Sequence, residues 1–169
     1  MVKIVPATEN DIQLVLSFIR KLAEYEKLSD QVVATEELLR EGLFGERRVA
    51  EVVLAYLAQQ PVGFALYFHN FSTFVGRAGI YLEDLFVEPA QRGKGVGKAL
   101  LAYVANLAVQ RKCGRFEWAV LDWNTPSIDF YKGLGAVPLD DWTLFRLTGD
   151  ALHRVASLSV TEPRPQGSV

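Results

Sequence analysis

One short stretch, Gln91-Arg92-Gly93-Lys94-Gly95-Val96-Gly97, constrains this chain more than any other. It follows Ile80 to Val87, a run rich in strand-forming residues, and leads at once into Ala99, Leu100, Leu101, Val104, Leu107 and Ala108, apolar positions at helical spacing. A strand that passes through a glycine turn into a helix crosses the sheet, and the next strand, expected over Phe116 to Leu121, then lies parallel to the first. Gly114 is the expected stop of the crossover helix.

The rest of the chain fills in around that unit. Val2 to Val5 reads as a short strand, and Thr8 with Asp11 three residues on reads as the cap of a helix whose inner face is Ile12, Val15, Leu16, Ile19, Leu22 and Ala23. Glu36 to Leu43 is a second helix, ending near Gly42 or Gly45. Val49 to Ala58 and Val62 to His69 form a hairpin about Gln59, Gln60 and Pro61. Beyond the crossover, Asn124 or Thr125 caps a short helix with Pro126 in its first turn and Gly135 at its end. Trp142 to Leu147 is expected as a last strand, Asp150 to Leu158 as a terminal helix, and the stretch from Thr161 as a disordered tail. The expectation is a mixed α/β domain over residues 1–160, with a twisted, mostly antiparallel central sheet, one parallel crossover and helices on both faces.

Half of the 169 residues are apolar, enough to give one domain a substantial core. With 18 basic against 20 acidic residues the formal net charge is -2, and the one basic cluster, Arg92, Lys94 and Lys98, is too short to track a nucleic acid. It suits a few phosphates. A single cysteine, Cys113, excludes an internal disulfide and offers no zinc ligand set, so no metal is expected. No uncharged stretch approaches the ~20 residues of a membrane span, and the N-terminus lacks the pattern of a secretory leader. A cytoplasmic protein without nucleic-acid or membrane partners is the expectation.

The glycine turn presents backbone N–H groups at the positive end of a helix, which suits a phosphate, and the alternative is a plain loop. Rival nucleotide motifs fail residue by residue. A P-loop needs a Gly five residues before its Gly-Lys and a Ser or Thr after; here Arg92 precedes Gly97-Lys98 and Ala99 follows. The dinucleotide fingerprint fails too, because Lys98 and Leu100 stand three residues after Gly95 and Gly97.

The run Arg92-x-x-Gly95-x-Gly97, with Asn124, Phe130-Tyr131 and Gly135-Ala136, resembles the acetyl-CoA signatures of the GNAT superfamily of N-acetyltransferases. More closely, Tyr81-Leu82-Glu83-Asp84-Leu85-Phe86-Val87, Trp123-Asn124-x-Pro126-Ser127-Ile128, Phe130-Tyr131-Lys132, Glu24-Tyr25-Glu26 and Asp141-Trp142 resemble the diamine (spermidine/spermine) and thialysine acetyltransferases. The resemblance runs over about residues 3–155. It implies direct transfer of acetyl from acetyl-CoA to a small cationic amine, in a homodimer.

It also implies roles. Arg92, Gly93, Lys94, Gly95, Val96, Gly97 and Lys98 would hold the phosphates, Phe86 and Val87 would offer backbone groups to the pantetheine arm, and Asn124 would face its amides or simply cap a helix. An alkylamine of pKa ~10 has to lose a proton before it attacks. Glu83, acting through a water, with Asp84 beside it, would take that proton. In a regular strand the two carboxylates would point to opposite faces, and only a bulge, which the family carries here, brings both to one cleft. Tyr131 would protonate the departing thiolate, or else be a core aromatic, and Tyr25 and Glu26 would meet the cationic acceptor, or be helix surface. No cysteine is suited to carry the acyl group. A protein or peptide acetyltransferase and a non-catalytic acyl-CoA sensor are the competing readings.

Overall fold

A computed structural model describes residues 1–158, so the expected tail from Thr161 lies outside the described residues. The chain forms two compact units, the first Met1–Asn124 and the second beginning at Thr125.

The first unit is built on a sheet of five strands in the order β1-β2-β3-β4-β5: β1 Lys3–Pro6, β2 Glu51–Leu57, β3 Gln60–Ser72, β4 Arg77–Val87 and β5 Phe116–Trp118. The first four run antiparallel to their neighbours and β4 with β5 is the parallel pair, as the crossover required. The hairpin between β2 and β3 turns on Ala58 and Gln59, both at positive φ, one residue earlier than Gln59 to Pro61 suggested.

Helices α1 (Ile12–Tyr25) and α2 (Glu36–Phe44) cover one face. There Ile12, Val15 and Phe18 of α1 pack on Val52, Leu54, Phe64, Leu66 and Phe86, with Leu43 of α2 closing the layer. Phe18 stacks on Phe64 at 5.7 Å between centroids, and Phe86 tilts against the same ring. Thr8 caps as expected, although a 3-10 turn over Glu9–Asp11 intervenes before α1; Asp11 accepts the Thr8 backbone N–H and hydroxyl, each at 2.7 Å. Helix α3 (Val96–Gln110) lies on the opposite face, its end tied to β2 where the Arg111 guanidinium donates to both Glu51 carboxylate oxygens.

Gly114 does not stop α3. The left-handed residue is Lys112 (φ 56), after which Cys113 N–H reaches back to the Ala108 carbonyl; Gly114 instead donates its N–H to Ala78, in a place where a Cβ would meet Val75 at 2.7 Å. Helix α1 ends in the same manner at Lys27 (φ 61), with Leu28 N–H on the Ala23 carbonyl. Strand β5 is also shorter than expected, ending at Trp118 rather than Leu121. Cys113 is half-buried.

The second unit contains α4 (Thr125–Gly133) and α5 (Gly149–Ala156). Gly135 at φ 91 closes α4, its own N–H on the Lys132 carbonyl and that of Ala136 on Tyr131. The expected strand Trp142 to Leu147 is absent: these residues are irregular, and Trp142, Leu144 and Phe145 are exposed. The second unit holds no strand among the described residues, so its apolar alternation has no ladder to join.

Candidate active site

Strand β4 organises the site because it is paired unequally on its two edges. Against β3 it pairs along its length, but against β5 only Ile80, Tyr81 and Leu82 are matched, with Phe116, Glu117 and Trp118. Past Leu82 the parallel strands part. Backbone along Glu83 to Val87 that would have joined β5 is left for another partner. Phe86 belongs to this segment by its backbone alone, since its side chain is in the core beneath α1.

The parting coincides with a bulge. Leu66 opposes Asp84 but the next residue, Tyr67, opposes Leu82, which leaves Glu83 as the extra residue on β4. The alternation of side chains is reset there. Leu82 shares its face with Tyr67, and through Tyr67's partner Glu51 with the end of α3; Asp84 and Phe86 share theirs with Leu66 and Phe64, under α1. Even-numbered residues thus change faces across Glu83, and the neighbouring carboxylates of Glu83 and Asp84 escape the strict opposition of a regular strand.

Glu83 is exposed, whereas Asp84 is largely buried. Burial first, then the carboxylates of Glu83 and Glu26, push the Asp84 carboxyl up to about 7. Glu26, which caps the end of α1, is itself half-buried, and loss of water raises its proton affinity as well. Three acids from two elements therefore share one electrostatic neighbourhood.

Opposite in sign is the loop that follows β4. Gly93 and Gly95 stand at φ 76 and 81, in the left-handed region that other residues enter at a cost, and a Cβ built on either would touch nothing within 4 Å. Gly95 precedes α3, whose first backbone bond runs from Ala99 N–H to the Gly95 carbonyl, so the N–H groups of Val96, Gly97 and Lys98 have no carbonyl of the helix to meet. Open space, free donors and the exposed cations of Arg92, Lys94 and Lys98 fit a phosphate-bearing ligand. Val96 contributes its backbone only; its side chain is buried. Lys94 presently donates to Gln91 at 2.8 Å.

Arg92 is held in a more particular way. Its Nε donates to the Val87 carbonyl at 3.1 Å, and its guanidinium lies over the Tyr25 ring, 4.4 Å from the centroid. The Tyr25 hydroxyl donates to Oδ1 of Asn124 at 3.2 Å, and Trp123 tilts against the same ring. Asn124 is buried, a position consistent with either role expected of it. Tyr131 lies on α4 in the second unit, half-buried beside Phe130 at 5.3 Å.

The first unit thus brings together Tyr25, Glu26, Glu83, Asp84, Phe86, Val87, Asn124 and the glycine loop. The splayed strand, its bulge and the glycine-capped helix are the frame of an acyl-transfer enzyme. Comparison with known proteins agrees: the pattern of the acetyltransferase (GNAT) family matches residues 18–136, and the chain belongs to that family. It is 43% identical to thialysine N-epsilon-acetyltransferase from Sus scrofa over 89% of this chain and 94% of that protein. It is 32% identical to L-ornithine N5-acetyltransferase from Arabidopsis thaliana, over 91% and 87% of the two chains. Among solved structures, an integron cassette protein from V. cholerae superposes with a TM-score of 0.76 at 29% identity, covering 92% of this chain and 97% of its own. The family uses acetyl-CoA as cosubstrate. Among the described residues no helix is long and apolar enough to cross a membrane.

Proposed function

We propose that the protein transfers acetyl from acetyl-CoA to a primary amine of a small cationic acceptor, directly, within a ternary complex. The observation that carries this reading is the sorting of charge along β4: acids at its bulge, cations in the loop at its end. An anionic cofactor and a cationic acceptor would each be drawn to its own side. Relatives named for thialysine and for ornithine act on amino acids with a second amino group, and such acceptors, with polyamines, fit the acidic side.

In this reading the phosphates sit on the N–H groups and cations of residues 92–98, and the backbone of Phe86 and Val87 receives the pantetheine arm and polarises the acetyl carbonyl. The acceptor's ammonium ion gives up its proton to the Glu83 and Asp84 pair, directly or through water. Asp84, with its proton affinity near neutral, is the better matched of the two as the final acceptor. Tyr131 returns a proton to the departing thiolate. Resemblance further supports residues 1–160 acting as one catalytic domain, in a cytoplasmic homodimer.

Thiol release from acetyl-CoA, followed across a panel of diamines, lysine-like amino acids, monoamines and lysine peptides, tests the proposal. Turnover on the dicationic small molecules is expected; turnover on peptides alone would replace it with the protein-acetyltransferase reading.

Two variants refine the test. A Cβ at Gly97 makes only an ordinary 3.7 Å contact with Val87, so Gly97→Ala should leave the melting temperature unchanged while weakening acetyl-CoA binding. Gly95→Ala is less informative, because its positive φ adds backbone strain to any crowding of the ligand. Calorimetry showing wild-type affinity in Gly97→Ala would remove the loop from the site. Glu26→Gln should raise KM for a diamine by about 5-fold, the scale of one partly screened ion pair, and leave that for a monoamine unchanged. Equal KM changes on both acceptors would return Glu26 to the helix surface.

A further inference from the structure

The resemblance assigns Tyr25 to the acceptor, yet the structure engages its ring elsewhere. One face carries the Arg92 guanidinium, 4.4 Å from the centroid, Trp123 tilts against the ring at 5.9 Å, and the hydroxyl is keyed to Asn124. A cationic acceptor would find that face already taken by a cation.

Arg92 needs such a support. It is exposed and stands between the 3-10 turn Pro89–Gln91 and the glycine turn, and a free arginine loses rotamer entropy when a ligand immobilises it. Here the side chain is fixed twice beforehand, by its Nε on the Val87 carbonyl and by its plane on Tyr25. The two terminal nitrogens make no hydrogen bond within the described residues. What remains presented is the end of the fork, the edge that takes two oxygens of a phosphate at once.

We propose that Tyr25 is a positioning residue of the cofactor side: it holds Arg92 flat so that the guanidinium is set for the phosphates before acetyl-CoA arrives. The end of α1 thereby belongs to both ligands, with Tyr25 serving the anion and Glu26, one residue on, the cation. This rests on reading the glycine loop as the phosphate site.

Calorimetric titration of acetyl-CoA, together with KM for a diamine, tests it in Tyr25→Leu, Tyr25→Phe, Arg92→Gln and the Tyr25→Leu/Arg92→Gln double variant. Loss of an exposed cation–π contact predicts that Tyr25→Leu raises the Kd of acetyl-CoA by about 2- to 5-fold. Diamine KM should not move, and Tyr25→Phe, which keeps the ring, should stay within about twofold of wild type on the same scale. Arg92→Gln should weaken acetyl-CoA at least as much as Tyr25→Leu, and adding Tyr25→Leu to it should have no further effect. Diamine KM rising in Tyr25→Leu at unchanged acetyl-CoA Kd would overturn the proposal, as would additive effects in the double variant. Melting curves accompany each variant, and Tyr25→Met, of similar bulk without a π face, replaces leucine if leucine prevents folding. Failure of the wild type itself to bind acetyl-CoA would be a different result, bringing down the reading of the loop and this proposal with it.

Discussion

Asp84→Asn is expected to leave the protein more stable at pH 8 and at least about 10²-fold less active, the usual contribution of a general acid or base. Both effects come from one cause. Burial and two neighbouring carboxylates raise the Asp84 carboxyl from 3.8 to about 7, so the folded protein binds that proton more tightly than the unfolded chain. A group raised in this way contributes stability that is complete below its unfolded pKa and is lost as pH rises through its folded one, here between about 4 and 7. Above neutral pH the folded state carries a confined anion that asparagine, similar in shape, does not have. The gain should be on the order of 2–4 kcal/mol at pH 8 and close to nothing at pH 4. Urea unfolding at the two pH values measures it. In the wild type the same ionisation should appear as an acidic limb near pH 7 in the profile of kcat/KM, a limb that the variant lacks. A variant that keeps full activity would move the base to Glu83, and one whose stability does not depend on pH relative to wild type would mean that Asp84 is better solvated than its surroundings indicate.

Tyr131→Phe should lower kcat by about 10²-fold at saturating substrates, with acetyl-CoA affinity and melting temperature close to wild type. The substitution keeps the ring and the backbone that the residue supplies to α4. The ring remains beside Phe130, and the backbone carbonyl that accepts from Leu134 and Ala136 at the end of the helix is untouched. Single-turnover measurements of thiolate release separate this from a binding defect. An unchanged rate would make Tyr131 a packing aromatic, the role its helical spacing with Phe130 and Ile128 equally allows.

Much of this arrangement was legible in the chain. The crossover follows from a strand, a glycine turn and a helix in succession, since few chain paths can join them, and the free donors before α3 follow from the same glycines. Side-chain alternation was also readable, but the point at which it resets was not. Nothing in Tyr81-Leu82-Glu83-Asp84-Leu85 marks Glu83 as the extra residue, because a bulge is a property of the pairing with β3 and not of β4 alone. Helix ends misled for a related reason. Gly114 looks like a stop, but Lys112 takes the left-handed position, since Gly114 is needed where Val75 leaves no room for a side chain. Trp142 to Leu147 shows the opposite error: apolar alternation reports a preference for burial in a sheet, and among the described residues exposed Trp142, Leu144 and Phe145 have no strand of their unit to meet it. Tyr25 was found as a site residue, but its contact with Arg92 was not. Its sequence neighbours are acidic, and only the fold reveals that Arg92, distant in the chain, lies on its ring.

The extra residue on β4 makes the strand behave like a reading frame. Upstream of Glu83, even-numbered side chains belong to the α3 side; downstream, even-numbered side chains belong to the α1 side. Substituting Glu83 alters one group, but deleting it would restore a single phase and force one half of the strand to exchange inside for outside. Either Ile80 and Leu82 would leave the layer they fill, or Phe86 would leave Phe18 and Phe64 while Asp84 turned away from Glu26. Length at this position is therefore under tighter physical control than identity, and descendants of this chain can vary the acid at the bulge far more freely than they can lose it.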